Sequence, residues 1–302
     1  MESASAKASA RQTKARGDKE AIHMRPRRVK FDEIGYWSEI KLDIVKDYAS
    51  AYSRILAAQR KPALHHAYID AFAGAGVHIS KATGEYVPGS PTNALLVQPP
   101  FREYYLIDID RQKVALLREL TKERRDVHIH EGDCNRILLQ KVLPNVRYED
   151  YRRGLCLLDP YGLQLDWKVI ETAGKMRSID MFLNFPVADM NRNVLWRHPE
   201  GVDAADLKRM NEFWGDESWR EIAYTTKLNL FGYPEKEENA VVAEGFRQRL
   251  LKVARFKHVV KPLPMRNTKG AIVYYLFFAS QKLAAEDIIV DLFRKYGQRG
   301  EK

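Results

Sequence analysis

The sequence predicts an α/β chain built on a doubly wound, Rossmann-like parallel sheet, with an antiparallel edge strand and a helical insertion. Three observations predict it. Short apolar runs alternate with stretches of helical period from Trp37 to Leu183, the pattern of a parallel sheet covered on both faces. The first run continues into Tyr68-Ile69-Asp70-Ala71-Phe72-Ala73-Gly74-Ala75-Gly76, a carboxylate followed by a turn through two glycines. Such glycines let backbone approach a ligand closely and adopt positive φ. The alternation breaks over about 187–240, a segment rich in Trp, Asn and charge, and then resumes with one helix and two strands.

The elements follow in order. Between Trp37 and Leu56, apolar residues at Leu42, Val45, Tyr48 or Ala49, Tyr52 and Leu56 mark one buried helical face. Strand one is Ala67–Asp70. Pro88-Gly89-Ser90-Pro91 then predicts a helix start, with Ser90 as cap and Pro91 at the first helical position. Strand two is Tyr104–Asp108, followed by a helix over Arg111–Thr121. Strand three, Val127–His130, ends at Gly132-Asp133 and leads to a helix through Ile137–Val142. Strand four, Leu155–Leu158, closes on Asp159-Pro160-Tyr161-Gly162. A helix near Trp167–Met176 precedes strand five, Ile179–Leu183, which ends at Asn184-Phe185-Pro186. After the insertion come a helix over Ala240–Val253 and strands over His258–Leu263 and Ala271–Ser280, an antiparallel pair for the sheet edge. Trp214 and Trp219 in the insertion read as a small satellite core.

Composition narrows the function classes. The 302 residues are 45% hydrophobic and 30% charged, ordinary for a globular chain. No apolar run approaches the roughly 18 residues that span a bilayer, and the N-terminus lacks an apolar signal core. Cys134 and Cys156 are too few for a disulfide framework or a zinc site, so a reducing cytoplasm is the expected location. Residues 1–28 carry eight basic side chains against three acidic ones, a net +5 of the chain's formal +10. Residues 1–30 are therefore expected to be a disordered basic tail preceding a domain over 31–302. Its functional reading is a phosphate-binding arm for nucleic acid.

The chemistry lies in what each strand presents at its carboxyl end: Asp70, then Asp108 with Asp110, then Asp133, Asp159 and Asn184. Ligands of open α/β sheets bind outside those ends. A dinucleotide fingerprint needs a third glycine where this chain has Ile79, which weakens a pyrophosphate reading. An acidic residue before Phe-x-Gly-x-Gly instead resembles the first motif of S-adenosylmethionine (SAM)-dependent methyltransferases acting on nucleic-acid amino groups. On that resemblance the methionine portion lies over Gly74 and Gly76 beside Phe72, with Asp70 near its ammonium. Asp108, with Asp110 in reserve, takes the ribose hydroxyls, and Asp133 accepts from the adenine amino group. The carboxylates sit on separate strands and no Gly-x-x-x-x-Gly-Lys-Ser/Thr loop is present, which ranks a metal-dependent hydrolase low and predicts no metal. Cys134 reads as a packing residue.

Asp159-Pro160-Tyr161-Gly162 is the expected catalytic turn, with Asn184 beside it. The turn resembles the Asp-Pro-Phe-Gly of tRNA guanine N2,N2-dimethyltransferases more than the Asp-Pro-Pro-aromatic of adenine enzymes. In such a site the polar side chain and the proline carbonyl hold a target amino group while the aromatic ring stacks the base. The plain alternative is a tight turn in which Tyr161 packs against Phe185.

Taken in order, Trp37 with Lys41-Leu42, the Asp-Ala-Phe-Ala-Gly-Ala-Gly turn, Pro88-Gly89-Ser90-Pro91, Gly132-Asp133-Cys134-Asn135, Leu158-Asp159-Pro160-Tyr161-Gly162 and Asn184-Phe185-Pro186 resemble the three-Cys-motif partner proteins, a bacterial family with a methyltransferase-like domain. The resemblance covers roughly 34–280. It implies a SAM-dependent methyltransferase fold and a partner protein carrying a three-cysteine, radical-SAM-like motif. A rival follows, in which the domain is a catalytically silent binding subunit for that partner.

If residues 1–28 form a phosphate-binding arm, their deletion should weaken nucleic-acid binding and make its salt dependence shallower. The log–log slope should fall by about 0.7 to 0.9 for each phosphate that the arm had neutralised. Titrations of full-length and truncated protein across a salt series test this. Identical slopes would reduce the segment to a solvated terminus.

Overall fold

The computed structural model describes residues 31–228 and 234–301; the basic segment expected over 1–30 lies outside the described residues. The central sheet is built from β1 (His65–Asp70), β2 (Glu103–Asp108), β3 (Val127–Glu131), β4 (Arg152–Leu158), β5 (Ile179–Phe185), β6 (His258–Val259), β7 (Leu263–Arg266) and β8 (Ile272–Ser280). Across the sheet the order is β3-β2-β1-β4-β5-β8-β6, with β7 also pairing β8. β1 to β5 are parallel, and β8 runs antiparallel to β5, with Tyr275 opposite Phe185 and Ala279 opposite Met181. This is a doubly wound, Rossmann-like fold with an antiparallel edge strand. The order reverses at β1, between β2 and β4, and there the carboxyl ends of the strands leave a crevice.

Alternation along each strand divides two cores. Ile69, Cys156 and Leu158 face one side, where α4 (Cys134–Ile137), α5 (Trp167–Met176), α6 (Val187–Asn193), α7 (Ala204–Trp214), α8 (Trp219–Ala223) and α9 (Asn239–Lys252) pack. Tyr68, Leu155 and Leu157 face the other, covered by α1 (Tyr36–Ala57), α2 (Ser90–Leu95), α3 (Arg111–Leu120) and α10 (Leu283–Gly297). The period of two in the strands is what lets one apolar run serve both cores.

Several elements differ from expectation for identifiable reasons. The strand predicted over His258–Leu263 is two strands, β6 and β7, pairing opposite ends of β8 (His258 with Ser280, Leu263 with Leu276). Pro262 lies in the break, and proline has no N–H to give a ladder. Gly89 is the N-cap of α2 in place of Ser90, which becomes its first residue. A Cβ on Gly89 would lie 2.9 Å from the Gly76 carbonyl carbon, so the close approach of these two turns requires glycine there. Helix α10 is not among the predicted elements, although Ala285, Ile289, Phe293 and Tyr296 mark its buried face at helical spacing. A separate small sheet of Glu33–Ile34, Val77–Ser80 and Tyr86–Pro88 is also unpredicted; strands of two to four residues carry too little pattern to register. Within the insertion, α6 to α8 are followed by an antiparallel pair, Tyr224–Leu228 with Pro234–Lys236. Trp214 and Trp219 are fully buried and belong to the main core, where Trp214 meets Phe246.

One tight contact in this packing is testable. A Cβ on Gly174 of α5 would sit 2.0 Å from the Ala254 carbonyl oxygen. Gly174→Ala should therefore destabilise the fold by about 1–3 kcal/mol through forced backbone displacement, despite alanine's better helix propensity. Urea denaturation reads the change, and a stabilised variant would contradict the packing.

Candidate functional site

The crevice at the strand ends holds a cleft of about 570 Å3. Its floor begins with the glycine turn. Asp108, at the end of β2, accepts the Gly74 N–H on Oδ2 at 2.8 Å and the Asp110 N–H on Oδ1 at 2.8 Å. Ala73 N–H adds a bond to the Ile107 carbonyl at 2.9 Å. Gly74 has φ +65°, and nothing lies within 4 Å of where its Cβ would be, so the turn opens onto the cleft there.

Two residues expected to contact a cofactor, Gly76 and Asp70, lie outside the cleft lining. Gly76 does not line the cleft. Its φ is +78°, and a Cβ would meet Leu120 and Thr92, each at 3.1 Å. Its carbonyl accepts the Gly89 N–H at 2.8 Å and the Thr92 hydroxyl at 2.6 Å. Gly76 thus joins the turn to α2, and of the two glycines only Gly74 lines the cleft. Asp70 also lies outside the lining, fully buried beneath the turn. Its Oδ1 accepts the Phe72 N–H at 3.2 Å, and Tyr68 donates to Oδ2 at 3.4 Å. Burial pushes the Asp70 carboxyl up to about 7; Ser90 and the Phe72 N–H oppose the rise, and the charges of Asp159 and Asp108 add to it. Phe72 and Ser90 line the cleft in its stead.

Asp110 and Asp133 line the cleft while serving the backbone. Asp110 caps α3, accepting from Gln112 N at 2.8 Å and Lys113 N at 3.3 Å. Asp133 caps α4 through Arg136 N at 2.9 Å. Ile109 also lines the cleft, an apolar side chain 77% exposed, where the sequence gives no sign of a ligand contact. Cys134 is buried, with its thiol pushed up to about 12 by burial, in keeping with a packing role.

The opposite wall is formed by the Asp159–Gly162 turn. Asp159 pairs with Lys41, which reaches across from α1. Burial would lower the Lys41 pKa, but the charge and hydrogen bond of Asp159 outweigh it and hold the ammonium charged; Lys41 also stands 5.3 Å from the centre of the Tyr274 ring. Pro160 does not line the cleft, and its carbonyl accepts Asn184 Nδ2 at 3.0 Å. That bond fixes the amide orientation and leaves Asn184 Oδ1 buried with no partner. Tyr161 is 76% exposed and does not pack on Phe185, which is sealed against Phe246 and Phe277. The Tyr161 hydroxyl donates to Asp32 Oδ2 at 3.3 Å. Asn135 braces this wall, donating to the Gln164 carbonyl at 2.9 Å and accepting Asp166 N at 2.9 Å.

The structure therefore brings Phe72, Gly74, Asp108, Asp133, Asp159, Tyr161 and Asn184 to one cleft and places Asp70, Gly76 and Pro160 behind it. Asp32 and Ile109 lie outside every sequence motif, and Lys41 and Asn135 fall inside motifs that give them no role at the site. A signal existed for Lys41, a cation set among Ile40, Leu42, Ile44 and Val45 on the buried part of α1. Asp32 had none, because its partners are 81 and 129 residues away. Among the described residues, no group of three His, Cys, Asp or Glu side chains could hold a metal, and no helix is long and apolar enough to cross a membrane.

The chain matches no protein-family model and no curated protein. Among solved structures it is similar to a Legionella pneumophila protein of family DUF519, at 13% identity over 86% of this chain and 93% of that one, with a TM-score of 0.48. It is also similar to the N-methyltransferase NodS from Bradyrhizobium japonicum (11% identity, 80% and 98% covered, TM-score 0.34). Trm5b from Pyrococcus abyssi aligns at 13% identity over 80% of this chain and 48% of that one, with a TM-score of 0.35. None of these three carries the name of a three-Cys-motif partner protein. The fold assignment rests on the strand order of this chain itself.

Asp70 gives a pH prediction. Its folded pKa of about 7 lies above the ordinary 3.8 of an aspartate, so between those values the native state keeps a proton that the unfolded chain has released. Stability should fall as pH rises through that window and level off above it. Asp70→Asn should flatten the dependence by up to about 1.4 kcal/mol per pH unit. Urea midpoints across the window measure it, and an unchanged slope would place the proton on another group.

Proposed function

We propose that this chain is a SAM-dependent methyltransferase acting on an amino group of a nucleic-acid base. The observation that carries the reading is the meeting of two walls on one cleft. One is the glycine turn tied to Asp108; the other is the Asp159–Tyr161 turn with the unpartnered Asn184 Oδ1. The open space over Gly74 fits the close backbone approach a methionine chain needs. Each Asp108 oxygen accepts one backbone N–H and keeps a lone pair for a ribose hydroxyl. Asp133 would accept from the adenine amino group, and the apolar Ile109 would cover a ring face.

SAM, when bound, supplies an electrophilic methyl group. The chain's part is to present the nitrogen. An amino group entering the cleft brings two N–H donors; Asn184 Oδ1 lacks a donor, and an unpaired buried acceptor costs about 1–3 kcal/mol until it finds one. Bonds to Asn184 Oδ1 and to Asp159 would fix the plane of that amino group and aim its lone pair. The exposed Tyr161 ring offers a stacking surface for the base.

One observation favours a second reading. Asp159 is already paired with Lys41, and the Pro160 carbonyl is already engaged by Asn184. A catalytically silent subunit, working with a three-cysteine-motif partner, would tolerate both. Turnover decides between them.

Asp108→Ala should abolish SAM binding in calorimetry, since it removes the ribose acceptor and frees the glycine turn. Asn184→Leu should keep SAM affinity and lower methyl transfer to bulk RNA or DNA by about a hundredfold through poorer positioning. Wild type that binds SAM but methylates neither polymer would favour the silent subunit, and SAM binding intact in Asp108→Ala would overturn the cofactor placement.

A further inference from the structure

Asp32 joins the two walls of the cleft. It immediately precedes the short strand Glu33–Ile34, which pairs in parallel with Val77–Ser80, the strand that leaves the glycine turn. Its carbonyl accepts the Ile79 N–H at 3.0 Å, and the Ile34 carbonyl accepts Lys81 N–H at 2.9 Å, so this strap has a fixed register. With the backbone held, the Asp32 side chain reaches both ways. Oδ2 accepts Lys113 Nζ at 2.6 Å from the first turn of α3, and the Tyr161 hydroxyl at 3.3 Å from the other wall. Lys113 lines the cleft, and its own N–H bonds the capping carboxylate of Asp110. A single oxygen thus spans from the elements proposed to hold the ribose to the ring proposed to hold the base. The strap also gives Ile34 to the cleft wall.

We propose that Asp32 is a positioning residue that couples the two sites, so that a ligand seated between the glycine turn and α3 fixes Lys113, through it Asp32, and through Asp32 the Tyr161 ring. The inference rests on the cofactor placement above. Its physical basis is that Oδ2 is shared. A charge-assisted bond from Lys113 is the stronger of the two and sets where the oxygen sits, and the weaker phenol bond must follow it. Cofactor binding would then order the platform for the base, and by linkage a bound base would tighten the cofactor by the same factor. One hydrogen bond at about 1 kcal/mol net makes that factor roughly fivefold.

The test uses S-adenosylhomocysteine, the demethylated product, as probe on the full chain. Calorimetry gives its affinity, and nitration of Tyr161 by tetranitromethane, mapped by mass spectrometry, reports the state of the ring. In wild type the probe should slow Tyr161 nitration about fivefold. In Asp32→Ala it should still bind, with Tyr161 protected less than about twofold; Lys113→Met, whatever its affinity for the probe, should show the same loss of protection at saturating probe and serves if Asp32→Ala fails to fold. Equal protection in wild type and both variants would mean that the probe shields the ring directly, which overturns the coupling. Binding to wild type with Tyr161 unprotected would overturn the inference alone. Absence of any heat with wild type would overturn the cofactor placement and the inference with it.

Discussion

The carboxylate of Asp108 organises this molecule. A chain leaving β1 through Gly74 in a left-handed conformation exposes backbone N–H groups that no strand or helix can satisfy. Buried donors of this kind need acceptors. Asp108 supplies one from the neighbouring strand, and with its other oxygen takes the N–H of Asp110, the residue that caps α3. One side chain therefore ties the exit of β1, the exit of β2 and the start of α3. The cleft exists because these three stop at the same level.

That arrangement crowds carboxylates, and the chain compensates them in three ways. Asp70, fully buried, keeps a proton near neutrality. Asp110 and Asp133 are held by helix N-termini, where the partial positive charge of the helix favours an anion. Asp159 has Lys41, and Asp32 has Lys113. The pairings draw on residues 118 and 81 positions away, so the electrostatics of the cleft belong to the assembled sheet. Asn184 Oδ1 remains as a neutral acceptor without a donor, next to an aromatic ring exposed to solvent. A neutral acceptor discriminates by geometry where a carboxylate would attract any cation.

Glycines show how local chemistry and packing separate. Gly74 and Gly76 share one motif and both have positive φ, yet only Gly74 faces open space. Gly76 is pinned by Thr92 and Leu120, and its partner turn at Gly89 must also lack a side chain. The motif made two equal candidates; neighbours in α2, in the turn before it and in α3 told them apart.

The sequence by itself determined the alternation of five parallel strands with helices, the strand ends that carry polar groups, and the glycine turn. These follow from periodicity and from residues whose backbone preferences are local, so the positions of Asp108, Asp133, Asp159, Tyr161 and Asn184 could be read directly. Only the tertiary structure decided which of the candidate residues reach the cleft. It set Asp70 beneath the floor, turned the Pro160 carbonyl toward Asn184, and brought Lys41 to Asp159 and Asp32 to Lys113 and Tyr161. It also split the strand predicted over His258–Leu263 at Pro262 and added α10 and the small sheet. The physical reason is common to all of these. A side chain's direction and partner depend on contacts made across the sheet, between residues that sequence spacing leaves independent.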